Sequence, residues 1–556
     1  MPTITVDPSD FQELLGFAMD EAALGTHLDL VKGEFKGRDE AGQWRVELND
    51  TNRPDLWSAE GIARQLRAAR GRRRDYPFFR GEPCGEIRVE PGLEAIRPCV
   101  AAFVVRGVRV TERSLAQLIQ TQEKLAENFG RKRKDVAIGV YNLAKIRFPV
   151  SYRAVDPRAH AYVPLGFEEP MPLAEILTRH PKGIQYGDVL AGHARVPYLT
   201  DAGGLTLSMP PIINSRELGE VQPGDSELFV EATGTDLAKV LLALDILACD
   251  LADRGGRVQR VRTVFPAATP FGREVDAPRD LDLGLSIPLT EFGRLLGVPV
   301  TPVEVDNVLE RYGCEVHVEG QSVRVVLPPY RADYLHPVDV VEDFAIARGY
   351  ETFEPRMPRD FTAGRADPVS LLEDKTRDAM IGLGYEEIIS NILTSRTELR
   401  THMQREAPPL VEVANVMNEN FAALRDSLLP CLLRVEARSG TATYPHRLFE
   451  AGEVAWFDPQ APHGSRTRLL LGALVVHREA SLSEAHADLD FLAQQLGGEV
   501  SLREEEHPSF LPGRSARVLL ADRPIGWLGE LHPGVLERWQ IGVPAAAFEL
   551  ELEPLL

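Results

Sequence analysis

The sequence predicts an α+β protein built from several domains. At 556 residues the chain exceeds what one hydrophobic core holds, and about three to five domains are expected. Strand-like alternation, as in Trp44–Leu48, occurs beside helix-like periodicity, as in Val240, Leu241, Leu244, Leu247 and Leu251. A hydrophobic content of 44% with 26% charged residues is that of an ordinary soluble globular protein.

The charge balance narrows the function classes. There are 62 basic and 83 acidic residues, a net charge of -21, so general attraction to nucleic acid is not expected. Any RNA contact must use local basic patches. Cys84, Cys99, Cys249, Cys314 and Cys431 form no CxxC pair and no zinc pattern, which fits a reducing cytoplasm without a disulfide framework. The N-terminus lacks a basic leader before an apolar core. No run approaches the roughly 18 apolar residues of a membrane span. A cytoplasmic protein with no membrane partner is expected.

Residues 1–85 read as an N-terminal α/β module, with a short strand, a helix over Asp10–Leu15 and a strand at Trp44–Leu48. Asn52-Arg53-Pro54-Asp55-Leu56 precedes a helix containing Glu60-Gly61-Ile62-Ala63-Arg64. Arg67, Arg70, Arg72, Arg73, Arg74 and Arg80 follow, interleaved with Tyr76, Phe78 and Phe79. Such a mixture suits RNA phosphates and bases, and equally a solvated helix end or a run paired with acidic neighbours.

Residues 86–271 read as a second α/β module. A helix is expected over Thr111–Phe129, a basic knot at Arg131-Lys132-Arg133-Lys134 and a buried strand at Val136–Tyr141. Leu205–Ser215 contains Leu-Ser-Met-Pro-Pro-Ile-Ile-Asn, and a strand from Leu228 leads to Thr235 or Asp236 as a helix cap. Ser208, Glu231 and Thr233 lie beside turns or strand ends, where polar side chains line pockets. Each also has a purely local role open to it, at a turn or helix entry.

Residues 272–355 read as a winged-helix-like domain. Ile287–Gly297 predicts a short helix ended by glycine, and Thr301-Pro302-Val303-Glu304 opens a second. Cys314–Val318 and Val323–Leu327 alternate around Glu319-Gly320-Gln321 as a hairpin. Then come Asp333, Asp339, Glu342 and Asp343. The last three stand at i, i+3 and i+4, which places them on one helical face. Dense oxygen ligands without Cys or His suit Mg2+, although acidic residues early in a helix also simply favour its dipole.

Residues 365–556 predict a helix over Leu371–Leu383, a strand at Glu387–Leu393, a segment Asn415–Phe421 and a helix introduced by Leu424–Pro430. Strands at Arg447–Glu453 and Ala547–Leu552 come later.

These motifs carry a family resemblance. Arg331-x-Asp333, Asp339-x-x-Glu342-Asp343 and Ala347-Arg348-Gly349-Tyr350 resemble the magnesium-binding region of phenylalanyl-tRNA synthetase beta subunits. The resemblance implies Mg2+ held by Asp333, Asp339, Glu342 and Asp343 at the contact with a catalytic alpha subunit. The Asn-Arg-x-Asp-Leu and Glu-Gly-x-Ala-Arg pattern is similar to that family's N-terminal module. Leu-Ser-Met-Pro-Pro-Ile-Ile-Asn, Thr233-Gly234-Thr235-Asp236-Leu237, His180-Pro181-Lys182-Gly183 and Tyr186 resemble the editing domain of the archaeal and eukaryotic type. That domain hydrolyses tyrosine wrongly attached to phenylalanine tRNA. The resemblance places Ser208, Glu231 and Thr233 in the site and Leu199 in its pocket, with Glu231 where Asp is frequent in the family.

The last module resembles a class II synthetase domain with its antiparallel sheet. Such domains clamp ATP with two arginines, one on a Phe-Arg-x-Glu strand and one on a Gly-rich helix start. Arg447 lies in a vaguely similar strand, but no arginine follows Arg538. Without those donors a triphosphate loses charge-paired binding, and no Walker or Rossmann motif replaces them. A catalytically silent assembly domain is therefore expected.

The resemblance implies an alpha2-beta2 phenylalanine–tRNA ligase acting in the cytoplasm. The alpha subunit would bind ATP and phenylalanine, and this chain would supply structure, tRNA contacts and editing. A free-standing aminoacyl-tRNA hydrolase and an inactive scaffold are the other readings.

Overall fold

The strands of the first half pair into three main sheets in one structural unit. The computed structural model describes residues 2–556, and a second unit begins at Met357. Each unit mixes helices with sheets, so the protein is a multidomain α+β chain. No helix among the described residues is long and apolar enough to cross a membrane.

At the N-terminus, strands Thr3–Val6, Trp44–Leu48 and Gly33–Arg38 form an antiparallel sheet with Trp44–Leu48 in the centre. Asp7 caps helix Pro8–Leu15, and Ser58 caps helix Ala59–Ala69. Gly61 is required there, because a Cβ would fall 1.7 Å from the Asp55 carbonyl oxygen.

The centre of this unit is a ten-stranded sheet. Its last three strands in spatial order are Cys99–Arg106, Glu227–Gly234 and Val136–Asn142. Glu227–Gly234 is paired on both sides, which makes its residues buried almost without exception. Helix Leu237–Asp253, capped by Asp236, packs on this region and is apolar nearly all round. At the other end of the sheet, Val196–Thr200, Thr206–Met209 and Ile213–Asn214 form an antiparallel run.

In the third part of the unit the hairpin Glu315–Glu319 and Ser322–Val326 gains a third strand, Gly284–Pro288. The helix expected from Ile287 starts later, at Leu289. Ile287 is opposite Val323 in the sheet, and Pro288, in extended conformation, serves as the cap. Helices Leu289–Leu296, Pro302–Glu310 and Pro337–Arg348 cover a small core around Phe292, Leu309, Val323 and Phe344.

The second unit is built on a seven-stranded sheet. Its spatial order is Glu386–Glu387, His446–Phe457, Ser465–Val476, Ala545–Glu551, Arg523–Leu531, Phe510–Leu520 and Val500–Glu504. All neighbours are antiparallel except the first pair. From Leu469 onward, strand Ser465–Val476 is buried on both faces. Leu471, Ala473 and Val475 meet helices Pro368–Gly382 and Leu482–Gln495, whereas Leu474 and Val476 meet Leu429–Glu436 and Pro533–Arg538.

The strand expected at Glu387–Leu393 is cut to Glu386–Glu387. From Ser390 the backbone N–H donates to the Glu450 side chain at 3.2 Å instead of to a neighbouring strand. Ile389 is consequently fully exposed. Asn415–Phe421 forms no strand and ends in a short turn, Glu419–Phe421.

Candidate functional site

Two sets of residues were expected to carry chemistry, and the structure treats them differently. The four carboxylates after Tyr330 are not assembled into one cluster. Arg331, fully buried, donates to Asp333 at 2.6 Å and to Asp343 at 2.7 Å. Tyr334 also donates to Asp343, at 2.7 Å. Burial opposes ionisation of Asp333, but Arg331 and then Arg53 overcome it and hold the group below the usual carboxylate range. Asp339 instead folds back to accept from the backbone N–H groups of Leu335 and His336 at 2.7 and 2.8 Å, completing a cap on its own helix. Glu342 faces outward and pairs with Lys32 at 2.8 Å.

Asp333, Asp339, Glu342 and Asp343, expected to share a Mg2+ ion, are not brought together in this structure. Their carboxylates are taken up by arginine, lysine and backbone donors, and do not fit a shared hard cation. Among the described residues no group of three or more His, Cys, Asp or Glu is placed to hold a metal. The physical reason is that neighbours on a helix point about 100° apart. Burying Val340 and Phe344 thus draws Asp343 inward while Glu342 stays in solvent.

What the motif builds is an interlock inside the first unit. Arg53 pairs with Asp55 through two 2.8 Å bonds and approaches Asp333 at 3.9 Å. The Tyr312 ring receives both Arg53 and Arg331, at 5.7 and 5.5 Å from its centroid. Its hydroxyl donates to the Leu30 carbonyl at 2.7 Å. The two arginine motifs of the sequence therefore meet in one buried network.

The basic run after residue 66 is partly consumed in the same way. Arg67 and Arg74 reach Asp253 at 3.0 and 3.4 Å, and Arg73 reaches Glu315 at 3.0 Å. Arg70 lies over the Phe17 ring. The reading in which acidic neighbours pair with the run describes Arg67, Arg73 and Arg74.

The second set is brought together. Ser208, Glu231 and Thr233 line one cleft of about 280 Å3, near the lower end of ligand-pocket sizes. Strand Glu227–Gly234 supplies Glu231 and Thr233 two residues apart, hence on the same face. Thr206–Met209 supplies Ser208, and Pro210–Asn214 forms part of the wall. Leu115, Leu118 and Ile119 of helix Glu112–Lys124 add an apolar side. Leu199 is opposite Ser208 on the adjacent strand and fully buried in the core, and is not part of the cleft lining. Its place is support for Ser208.

The cleft holds unsatisfied polar atoms. Glu231 Oε2 and Ser208 Oγ are buried without a hydrogen-bond partner. Buried polar groups are nearly always paired, so two orphans sharing one cleft mark a place for a ligand group or an ordered water. Glu231 Oε1 accepts from the Tyr141 hydroxyl at 2.9 Å. Burial pushes the Glu231 carboxyl up to about 7, against the pull of Tyr141 and Arg97. Thr233 Oγ1 accepts from Arg97 Nε at 2.9 Å, which leaves the threonine proton free to donate elsewhere.

Arg97 and Gly139 of this site were not singled out in the sequence, and the basic knot and Lys182 were named there without a place in it. Arg97 is buried and also donates to the carbonyls of Arg133 and Lys134 at 3.0 and 3.1 Å. Arg131, Lys132 and Arg133 all have left-handed backbones, with φ of 49°, 54° and 65°. That turn aims Arg133 across the cleft, where it donates to the Pro211 and Ile212 carbonyls and stacks on Tyr186 at 4.1 Å. Lys182 also lines the cleft. Gly139 is opposite Glu231, and a Cβ there would fall 2.5 Å from Glu231 Oε1 and 2.4 Å from the Tyr141 hydroxyl. A glycine inside an otherwise apolar strand is the one sequence signal that marks this close approach.

In the second unit Arg447 pairs with Glu484 and Asp488 and stacks on Tyr385 at 5.3 Å. Its guanidinium is committed to the protein.

Comparison with known proteins places these features in a family context. Residues 285–350 match the model of the tRNA synthetase B5 domain, and residues 354–552 that of the phenylalanyl tRNA synthetase beta chain CLM domain. The chain is 37% identical to the phenylalanine–tRNA ligase beta subunit of Treponema pallidum, with 100% of both chains covered. Identity is again 37%, with the same coverage, to the phenylalanine–tRNA ligase beta subunit of Pyrococcus abyssi. Among solved structures, an N-terminal fragment of the Pyrococcus horikoshii phenylalanyl-tRNA synthetase beta subunit is 36% identical with a TM-score of 0.59. The match covers 63% of this chain and 100% of that fragment.

Proposed function

The chain belongs to the phenylalanine–tRNA ligase beta-subunit family, and on that premise we propose a division of labour within it. The enzyme attaches phenylalanine to its tRNA, with the alpha subunit binding ATP and phenylalanine in an alpha2-beta2 assembly. Residues 86–271 remove tyrosine that has been attached in error. Residues 365–556 are a class II-like domain kept for assembly, and residues 272–355 a winged-helix-like domain. The complete enzyme uses Mg2+, and in this chain Asp333, Asp339, Glu342 and Asp343 are engaged by arginine, lysine and backbone donors.

The observation that carries the editing reading is the pair of orphaned oxygens, Glu231 Oε2 and Ser208 Oγ, in one cleft. A pocket that selects phenylalanine rejects an isostere with one extra hydroxyl only weakly. A second site that demands that hydroxyl discriminates far better. Glu231 Oε2 accepts a phenolic O–H, while phenylalanine leaves the same oxygen unpaired and buried. Thr233 and Ser208 hold the ester carbonyl and the attacking water. Water adds to the carbonyl carbon, the bond to the RNA oxygen breaks, and that oxygen takes a proton to leave as the hydroxyl. The free amino acid remains.

The silent-domain reading rests on Arg447, whose charge is satisfied by Glu484 and Asp488. The test of the whole proposal is co-expression of this chain with the alpha subunit of the same genome, followed by phenylalanine-dependent ATP–pyrophosphate exchange. Exchange by the purified complex and by neither chain alone is expected. Absence of both complex and exchange, with tyrosyl-tRNA still hydrolysed, would replace the proposal by a solitary hydrolase.

A further inference from the structure

We infer that Tyr141 and Asn214 act with Glu231 as a hydroxyl relay that sets which esters the cleft accepts, with Tyr141 a positioning residue that ties one carboxylate oxygen and leaves the other open. The inference rests on the reading of this cleft as a tyrosine-ester hydrolase and adds the groups that tune its selectivity.

Tyr141 is fully buried on the strand paired with that of Glu231. Its hydroxyl lies 2.9 Å from Glu231 Oε1 and 3.1 Å from Asn214 Oδ1. Both are acceptors, but Tyr141 has a single proton to give. When Glu231 is ionised, the charged oxygen wins that proton, because hydrogen bonds to charged groups are the stronger. When Glu231 is protonated it can donate to Tyr141, which then donates to Asn214. The relay therefore has two states, and Oε2 is a strong acceptor only in the first.

The site is built to keep this geometry. Gly139 is opposite Glu231, and any side chain there would strike both members of the bond. Asn214 is held by its pairing with Ser208 and by donating to the Val140 carbonyl at 3.4 Å. The cleft that Glu231 lines also carries Glu123, Arg133, Lys182 and Glu220, with Lys182 3.9 Å from Glu123 and Arg133 donating to the Pro211 and Ile212 carbonyls. Tyr141 faces Glu231 from strand Val136–Asn142, Arg97 from the segment before Cys99 and Tyr152 from strand Val150–Val155. Arg97 is occupied by Thr233 and two backbone carbonyls, and the Tyr152 hydroxyl donates to the Arg97 carbonyl at 2.8 Å. Ser208 and Asn214, from the facing hairpin, carry no charge. Tyr141 is therefore the one group that bonds Glu231 directly.

A ligand with its own phenol donates to Oε2 and completes the carboxylate, which then holds two phenols, one from the protein and one from the substrate. A ligand without a hydroxyl leaves Oε2 bare. Discrimination follows the ionised fraction of Glu231 and rises through pH about 7.

The experiment measures hydrolysis of phenylalanine tRNA charged with tyrosine or with phenylalanine by the assembled enzyme over about pH 5.5 to 8.5. The proteins are wild type, Tyr141→Phe, Asn214→Ala and Glu231→Gln. Tyr141→Phe removes the donor to Glu231, so its acid limb moves up by about one pH unit. Asn214→Ala removes the competing acceptor, so its limb moves the opposite way. A purely structural role lowers plateaus without moving the limbs in opposite directions, and that result overturns the relay. If Glu231→Gln abolishes the tyrosine preference while neither limb moves, the relay falls and the editing reading survives. If wild type hydrolyses neither ester, both fall together.

Discussion

Arg331 serves two carboxylates at once: its Nη2 is 2.6 Å from Asp333 and 2.7 Å from Asp343, with the arginine side chain wholly buried. The most acidic motif of the sequence is thereby a structural joint. Removing one partner of a buried ion network leaves uncompensated charge, a loss of about 3–5 kcal/mol. Arg331→Met is expected to lower the stability of the chain by that order, read from its denaturant midpoint. Glu342→Gln breaks a partly exposed pair with Lys32 and is expected to cost less than about 1 kcal/mol.

The joint also sets an acid limit. The arginines hold Asp333 below the usual carboxylate range despite its burial. A carboxylate depressed in the folded state stabilises above its unfolded value, near pH 4, and that stability is lost as pH falls through the folded value. Asp333→Asn is therefore expected to flatten the decline in melting temperature below about pH 4. An acid decline as steep as that of wild type would contradict the assignment.

Glu231 works with the opposite sign. Burial raises its carboxyl from 4.5 to about 7, so the folded state binds a proton that the unfolded state has released. Its contribution is fully present below about pH 4.5 and is lost as pH rises toward 7. The difference amounts to about 3 kcal/mol at most. Glu231→Gln is expected to gain stability over wild type as pH rises from about 5 to 8, with the melting temperature as the readout. A stability cost carried at a site that needs an open acceptor is the usual exchange between stability and function.

Gly139 tests the packing of the cleft. An added Cβ would overlap Glu231 Oε1 and the Tyr141 hydroxyl. Gly139→Ala is expected to destabilise the chain by about 1–3 kcal/mol and to reduce tyrosine preference in hydrolysis. Unchanged selectivity would show that the Tyr141–Glu231 geometry is not needed.

Arg447 tests the silence of the second unit. It is tied to Glu484 and Asp488 and stacked on Tyr385. Arg447→Ala is expected to lower the melting temperature and leave ATP–pyrophosphate exchange per assembled complex unchanged. A drop of tenfold or more, about 1.4 kcal/mol in the barrier, would assign this arginine to catalysis.

The elements were legible where local chemistry decides. Asp236 capping Leu237–Asp253 and Gly297 ending Leu289–Leu296 follow from residues adjacent in sequence. The strand expected at Glu387–Leu393 failed because pairing, not apolar content, makes a strand, and the Glu450 side chain takes the bond from Ser390. Ser208, Glu231 and Thr233 were readable as a set, and the structure puts them in one cleft. Tyr141 and Arg97 were not, since they reach Glu231 and Thr233 across 90 and 136 residues of chain. The carboxylate spacing could be read as metal ligands or as acids favouring a helix dipole, and the meeting of Arg53 and Arg331 at Tyr312 is a contact that no local pattern encodes.

The central claim is that this chain removes tyrosine from phenylalanine tRNA through Glu231. The most direct measurement supplies phenylalanine tRNA charged with tyrosine to the assembled wild-type enzyme and to Glu231→Gln at pH about 8, where the carboxylate is ionised. Rapid hydrolysis by wild type and a loss of at least tenfold in the variant, with aminoacylation by phenylalanine unchanged, is the result predicted. Equal hydrolysis by the two proteins would contradict it.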